Sequence, residues 1–246
     1  TGIGAIDDLT GGGLGKGEIG VIVAPSGVGK TTALTVIANT AYECEKNVAH
    51  IVFEDTKDQI KRKHYVIWAD SSLSAINDDD DERLRVNKVA DEKGREMEGK
   101  GRLLVKRFSQ EDTTMRDIRN WMTNYEKKFG FKFDILVLDY LDCVESHKRT
   151  PDRHEGELAV VKGFESLAAD FNIPAWTAIQ SNRSGIGAEF VEAQQAGGNI
   201  KRMQKAHFFM SIAKTQAQQE ANFATIRIIK ARFAKDGQSF QDCVFN

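Results

Sequence analysis

The chain has 246 residues, 41% of them hydrophobic and 28% charged, with only 3 prolines. That is ordinary globular usage in a chain long enough to bury roughly 70% of its unfolded surface, and it excludes a mostly disordered polymer. The 34 basic and 36 acidic residues leave a net charge of −2, which excludes a strongly basic nucleic-acid coat while leaving room for a local basic patch.

The N-terminus, Thr1-Gly2-Ile3-Gly4, carries no basic-then-apolar signal pattern, and without an initiator Met it reads as a domain cut from something longer. The first predicted strand, Ile19 to Ala24, runs straight into Pro25-Ser26-Gly27-Val28-Gly29-Lys30-Thr31-Thr32, and an apolar, helix-compatible run follows from Ala33 to Ala41. Strand, glycine loop and helix make the βα unit of a parallel sheet. A second buried strand, Val48 to Phe53, ends at Glu54-Asp55. From about Lys57 to Lys100 the chain is highly charged. Helices are expected there, separated by an acidic loop at Asp78-Asp79-Asp80-Asp81-Glu82, to which no chemistry is assigned because like-charge runs are solvated.

Leu103 to Phe108 reads as a third strand and Met115 to Lys128 as a helix. Ile135 to Asp139 is the most strand-like segment of the chain. A charged loop, Ser146 to Glu155, leads to a helix from Glu157 to Phe171, and Asn172-Ile173-Pro174 turns the chain into a strand from Ala175 to Gln180. After a Gly-containing loop from Ser181 to Asn199, strands are expected around His207 to Ala213 and Ala224 to Phe233. The repeated alternation argues for one α/β domain over residues 1–246, with a mainly parallel twisted sheet flanked by helices. No apolar run approaches the roughly 20 residues of a membrane span. Cys44, Cys143 and Cys243 form neither a metal-ligand spacing nor a disulfide framework, which suits a reducing compartment.

The segment from Ala24 to Thr31 fits the phosphate-binding pattern GxxxxGK[ST], except that Ala24 stands where the first Gly belongs. Glycines let backbone N–H groups curl around phosphate oxygens, and the following helix N-terminus adds partial positive charge. Ser26, Gly27, Val28, Gly29, Lys30, Thr31 and Thr32 are therefore the candidate nucleotide-binding residues. Lys30 would reach the β- and γ-phosphates, and the Thr31 hydroxyl would hold Mg²⁺. Asp139, at the C-terminal end of an apolar strand, is placed to orient that metal and its water; the plain alternative is an Asp that ends a strand. Glu54 ends the strand after the P-loop helix, where parallel strands present their ends to a ligand crevice, and is placed to polarise a water. Asp55 competes for that role, and an exposed loop acid is the plain reading of both. Gln180 is a candidate γ-phosphate sensor or simply a polar strand end. Lys230 and Arg232 stand two apart on a predicted strand and so share a face, with Ile229, Ala231 and Phe233 on the other. They are either an exposed polar sheet face or two cations offered to a neighbouring subunit's nucleotide.

Taken in order, these pieces resemble one family. Thr1 to Leu9, Gly11-Gly12-Gly13-Leu14 and Gly17-Glu18 are similar to the lead-in of RecA-like ATPases. Phe53-Glu54, Leu138-Asp139-Tyr140-Leu141, Gln180-Ser181-Asn182-Arg183 and Lys230-Ala231-Arg232 resemble the DnaB-type replicative helicases, with Leu103-Leu104-Val105-Lys106 and Arg232-Phe233 closer to the phage T4-like branch. The resemblance implies a RecA-like P-loop fold, ATP or another NTP with Mg²⁺, Glu54 as catalytic base, Asp139 as Walker B acid, Gln180 as γ-phosphate sensor and Lys230 and Arg232 acting in trans. It also implies a hexameric ring of identical subunits that moves on single-stranded DNA and unwinds duplex in a cytoplasm, that of a bacterial host if phage-encoded. Primase and loader would be met through parts of the protein outside this chain, since the family's N-terminal domain is absent here. Asp142 departs from the Gln usual in bacterial members, which puts coupling through that position in question. DNA contacts are expected from Lys148, Arg149 and Arg153 in one loop and Arg183, Lys201 and Arg202 in or after another, with ordinary surface cations as the alternative. A RecA-like strand-exchange or regulatory-ring ATPase is the competing function, and the late Lys-x-Arg pair favours the helicase.

Overall fold

The computed structural model describes residues 1–110, 112–146, 153–181, 206–233 and 235–244. Eight strands form one sheet in the order β3-β2-β4-β5-β1-β6-β7-β8. They are β1 (Ile19–Ala24), β2 (Asn47–Val52), β3 (Arg102–Arg107), β4 (Ile135–Asp139), β5 (Ala175–Gln180), β6 (Phe208–Ala213), β7 (Phe223–Ala231) and β8 (Ser239–Val244). The first six pair in parallel, and β7 and β8 add antiparallel.

The parallel strands are apolar at nearly every position because both faces of the sheet are covered. Side chains alternate along β1: Ile19, Val21 and Val23 enter one core, and Ile22 and Ala24 enter the other. The first core is closed by α6 (Met115–Phe129) and α7 (Arg153–Phe171), through Ile118, Met122, Phe164 and Leu167. The second is closed by α1 (Gly4–Thr10) and α2 (Lys30–Glu43), through Ile6, Leu34, Ile37 and Ala38. Outside α2 lie α3 (Lys57–Trp68), α4 (Leu73–Asp78) and α5 (Asp80–Glu96).

The structure departs from the sequence expectations at several places. The acidic run is not a loop: Asp79 caps α5, its carboxylate accepting from the N–H groups of Asp81 and Glu82, and Asp80 to Glu82 form the first turn. Acidic residues there complement the helix dipole. Helix α7 starts at Arg153, four residues before the expected Glu157. Helix α1 and strand β8 stand where no element is expected. Finally, β7 ends at Ala231, so Arg232 lies just beyond the strand, although its N–H still donates to His207 O at 2.9 Å. A register shift opposite Phe209/Met210 also breaks the alternation of β7. Ile229 packs on one core and Ala231 on the other, so they do not share a face.

A buried polar chain crosses beneath α3. His64 Nδ1 bonds Asn39 Oδ1 of α2, and its Nε2 lies 3.1 Å from His50 Nδ1 of β2. Asn39 Oδ1 can only accept, so His64 donates from Nδ1 and accepts at Nε2, and His50 donates from Nδ1. This leaves the buried His50 Nε2 as a bare acceptor. Burial, with the Lys63 charge adding to it, holds His50 down at about 3, and burial also keeps His64 well below the usual imidazole value.

Because the folded imidazoles resist protons that the unfolded chain binds near pH 6.5, stability should fall as pH drops from about 6.5 towards 3. The slope should be up to about 1.4 kcal/mol per pH unit for each ring. Urea unfolding across that range should show the fall, and the double variant His50→Leu/His64→Met should flatten it. A second expectation concerns Gly20, which pairs with Trp176; a Cβ there would meet Trp176 Cε3 at 2.6 Å. Gly20→Ala should cost roughly 1–3 kcal/mol by overpacking. Gly94→Ala, in an exposed helix position with open space around it, should gain about 1 kcal/mol. Equilibrium unfolding of both variants checks the contrast.

Candidate functional site

Parallel pairing brings the C-terminal ends of β1, β2, β4 and β5 to one edge. Ala24 lies opposite Gln180, and Val52 opposite Asp139. The loop from Pro25 to Gly29 leaves this edge and enters α2 at Lys30. Gly27 and Gly29 have φ of 77° and 108°, left-handed values that side chains disfavour, so glycine at these two positions is a backbone requirement. Ala24 is still within the extended β1 strand, which explains why a methyl group is tolerated where the pattern has Gly.

Lys30 Nζ folds back over the loop and donates to Ala24 O at 3.3 Å and Pro25 O at 3.2 Å. Burial lowers its pKa, and the charges of Asp139, Asp142 and Glu54 oppose that shift. One cation thus sits within the field of three carboxylates from two neighbouring strand ends.

Asp139 is buried, and its Oδ1 has no hydrogen-bond partner among the described residues. Desolvation pushes its carboxyl up to about 6, while a hydrogen bond from Thr31 and the Lys63 and Lys30 charges pull the other way. A buried, incompletely satisfied carboxylate beside a threonine hydroxyl is an all-oxygen donor set. It fits a small hard cation such as Mg²⁺, which takes one or two protein oxygens and completes its shell with phosphate and water.

The structure separates the two acids after β2. Asp55 forms an ion pair with Lys63 of α3. Glu54 is exposed at the strand edge, and its Oε1 accepts a 3.0 Å hydrogen bond from the Tyr140 hydroxyl. Tyr140 follows Asp139 through a cis peptide, and its ring lies under Lys30, with Nζ 5.8 Å from the centroid. Two residues on, Asp142 Oδ2 accepts from the Gln180 backbone N–H at 3.0 Å. The Asp142 carboxylate therefore ties the β4 end to the β5 end, a contact to set beside the departure from Gln noted in the sequence. Neither contact is readable from spacing; the Asp-Tyr-Leu triplet marked the segment only as a family resemblance.

Lys230 and Arg232 are not brought to this edge. Lys230 is opposite Phe209, which pairs with Val21, and Arg232 bonds back to His207 before β6 begins. They stand level with the first half of β1, roughly 10–17 Å below the strand ends at a rise of about 3.3 Å per residue. Burial and then the Arg232 charge lower the Lys230 pKa, with Asp236 opposing. The DNA-contact candidates Lys148, Arg149, Arg183, Lys201 and Arg202 lie outside the described residues, and of Arg153 only the helical backbone is described. Among the described residues no helix is long and apolar enough to cross a membrane.

A family profile described as DnaB-like helicase C terminal domain matches residues 1–189. The DnaB-like replicative helicase of Enterobacteria phage T4 is 24% identical over 231 residues, 93% of this chain and 48% of that protein. The replicative DNA helicase DnaB of Mycoplasma genitalium is 28% identical over 187 residues, 72% of this chain and 38% of that protein. The chain spans about half the length, or less, of these curated relatives. Among solved structures, one titled as an ATPase domain superposes with a TM-score of 0.80 at 15% identity, covering 97% of this chain and 84% of that one. A structure titled as a DnaB-like replicative helicase and its interactions with primase gives a TM-score of 0.80 at 15% identity, over 97% of this chain and 57% of that one. The superpositions establish a RecA-like fold in common, and the profile match, which takes in the P-loop, Glu54, Asp139 and Gln180, establishes that the chain belongs to the DnaB-like helicase C-terminal domain family.

Proposed function

We propose that residues 1–246 form a single NTP-hydrolysing motor domain of a replicative DNA helicase, working as a hexameric ring on single-stranded DNA. The observation that carries this reading is the buried Asp139 carboxylate beside Thr31 and Lys30, at the foot of the P-loop. In this reading the backbone N–H groups of Ser26 to Thr32 cradle the phosphates, and Lys30 neutralises the β/γ region. Thr31 and Asp139 would hold Mg²⁺, which would supply positive charge against the phosphates. Glu54 takes the proton of the attacking water. Gln180, anchored through its N–H to Asp142, senses the γ-phosphate. Lys230 and Arg232 serve the site of the next subunit. The family of the relatives and the primase named in one neighbour's title support primase as a partner met through other parts of the whole protein, with a loader beside it. Replication work places such a protein in a cytoplasm, that of the bacterial host if the chain is phage-encoded.

Three variants test the hydrolytic roles. Lys30→Ala should stay folded and lose hydrolysis. Glu54→Gln should bind nucleotide and turn it over roughly 10²–10⁴-fold more slowly. Asp55→Asn, which breaks the Lys63 pair and removes no group facing the attacking water, should keep most activity. Phosphate release and fluorescent-nucleotide binding read all three, and a crippled Asp55→Asn beside an active Glu54→Gln would exchange the two assignments.

The separation of Arg232 from its own P-loop gives the second test. Arg232→Ala should lower hydrolysis by on the order of 10³–10⁵-fold. Mixing Arg232→Ala with Lys30→Ala subunits should restore part of it, because some interfaces then join an intact P-loop to an intact arginine. Mixed assemblies that form and stay inactive would return Arg232 to the role of a surface cation.

A further inference from the structure

The hydroxyl of Tyr140 has a place in the site that the phosphate-binding machinery leaves unexplained. It reaches from the β4 end across to the β2 end and donates to Glu54 Oε1 at 3.0 Å. Its ring is wedged between the two cores of the sheet and lies beneath Lys30. The same hydroxyl also meets the buried thiol of Cys143, from the 3-10 turn Leu141–Cys143. The phenol is thus braced by apolar packing and a thiol, and its one strong donor is spent on an otherwise exposed carboxylate.

We propose that Tyr140 is a positioning residue for hydrolysis, fixing the rotamer of Glu54 so that its second carboxylate oxygen faces the attacking water. The inference rests on the reading of Glu54 as the general base. The physical need is plain. Glu54 sits in a bend between β2 and α3, exposed on its outer side to the cleft that it lines with Arg107, Ser109 and Gln110. A glutamate has three rotatable side-chain bonds, and in such a place it samples many rotamers. One hydrogen bond from a braced phenol removes most of them and occupies a single oxygen. The groups facing the pair are Lys30, Asp142 and Cys143, together with Arg107 on the cleft side. Lys30, which feels the Glu54 charge, offers the carboxylate a competing partner if the phenol is lost. The Tyr140 hydroxyl is directed at Glu54 and not at the P-loop backbone or the metal-holding oxygens, so its effect should fall on turnover and not on nucleotide affinity.

Tyr140→Phe is the informative variant, because it keeps the ring under Lys30 and removes only the hydroxyl. In the full-length protein, steady-state hydrolysis should show kcat reduced roughly 10- to 10²-fold, the range expected when a reacting group is misplaced by about an ångström, with KM for nucleotide within twofold. A double-variant cycle isolates the mechanism: in a Glu54→Gln background, Tyr140→Phe should lower turnover no further. An unchanged kcat in Tyr140→Phe, or losses that multiply in the double variant, would overturn the positioning role while leaving Glu54 as base. A raised KM with unchanged kcat would also overturn it, by making Tyr140 a nucleotide contact. If Glu54→Gln itself hydrolyses at the wild-type rate, the general-base reading falls and Tyr140's role falls with it.

Discussion

The parallel register of β2, β4, β5 and β1 is the constraint on which the rest of the site depends. Because these strands run in one direction and are paired as Val52 with Asp139 and Ala24 with Gln180, their ends arrive at one edge within side-chain reach. Four segments far apart in sequence then bring Lys30, the buried Asp139 carboxylate, Glu54 and the backbone N–H of Gln180 to one edge. The two-sided hydrophobic core is what makes that register rigid. A slip of one residue would turn Val21 and Val23 out of one core and Ile22 out of the other, so the chemistry at the edge inherits its precision from packing several residues below it.

Asp139 shows what such a site asks of the fold. A carboxylate with one unbonded oxygen, desolvated at the end of a fully apolar strand, opposes folding unless a positive charge compensates it. Lys30 and Lys63 compensate in part, and desolvation still leaves the carboxyl raised to about 6. In the proposed reading, that unmet need is where a divalent cation would bind. The same frustration that weakens the empty protein favours the loaded one, since whatever binds only the folded form stabilises it.

Much of this was legible in the sequence, for identifiable reasons. Strands such as Ile135–Asp139 and Ala175–Gln180 are uninterrupted apolar runs bounded by polar residues, and their expected limits match the observed ones. The P-loop was legible because backbone geometry demands glycine at Gly27 and Gly29. What escaped depended on tertiary partners. Strand β8 is largely exposed and its residues Ser239 to Val244 have no apolar run to announce them; it exists because β7 offers an edge. The acidic run looked like a solvated loop because charge alone does not distinguish a loop from a capped helix start. The alternation expected around Lys230 failed at a bulge, which the local sequence does not mark. The choice between Glu54 and Asp55 was likewise undecidable from spacing, whereas one lysine on α3 and one tyrosine after β4 give the two acids different surroundings.

The antiparallel turn-back of β7 carries Lys230 and Arg232 to the end of the sheet opposite the P-loop. If the two cations serve a neighbour's site, as proposed above, a subunit built this way carries a socket at one end of the sheet and a plug at the other. Contacts of that kind are heterologous, and copies joined through them add in a fixed direction. Their number of finished sites then depends on topology as well as on copy number. An open row always leaves one socket empty at its end, and only closure makes every socket equal. In the proposed ring, opening one seam to admit a strand would therefore silence one site while leaving the others intact, so the catalytic capacity of such a ring would register whether it is shut.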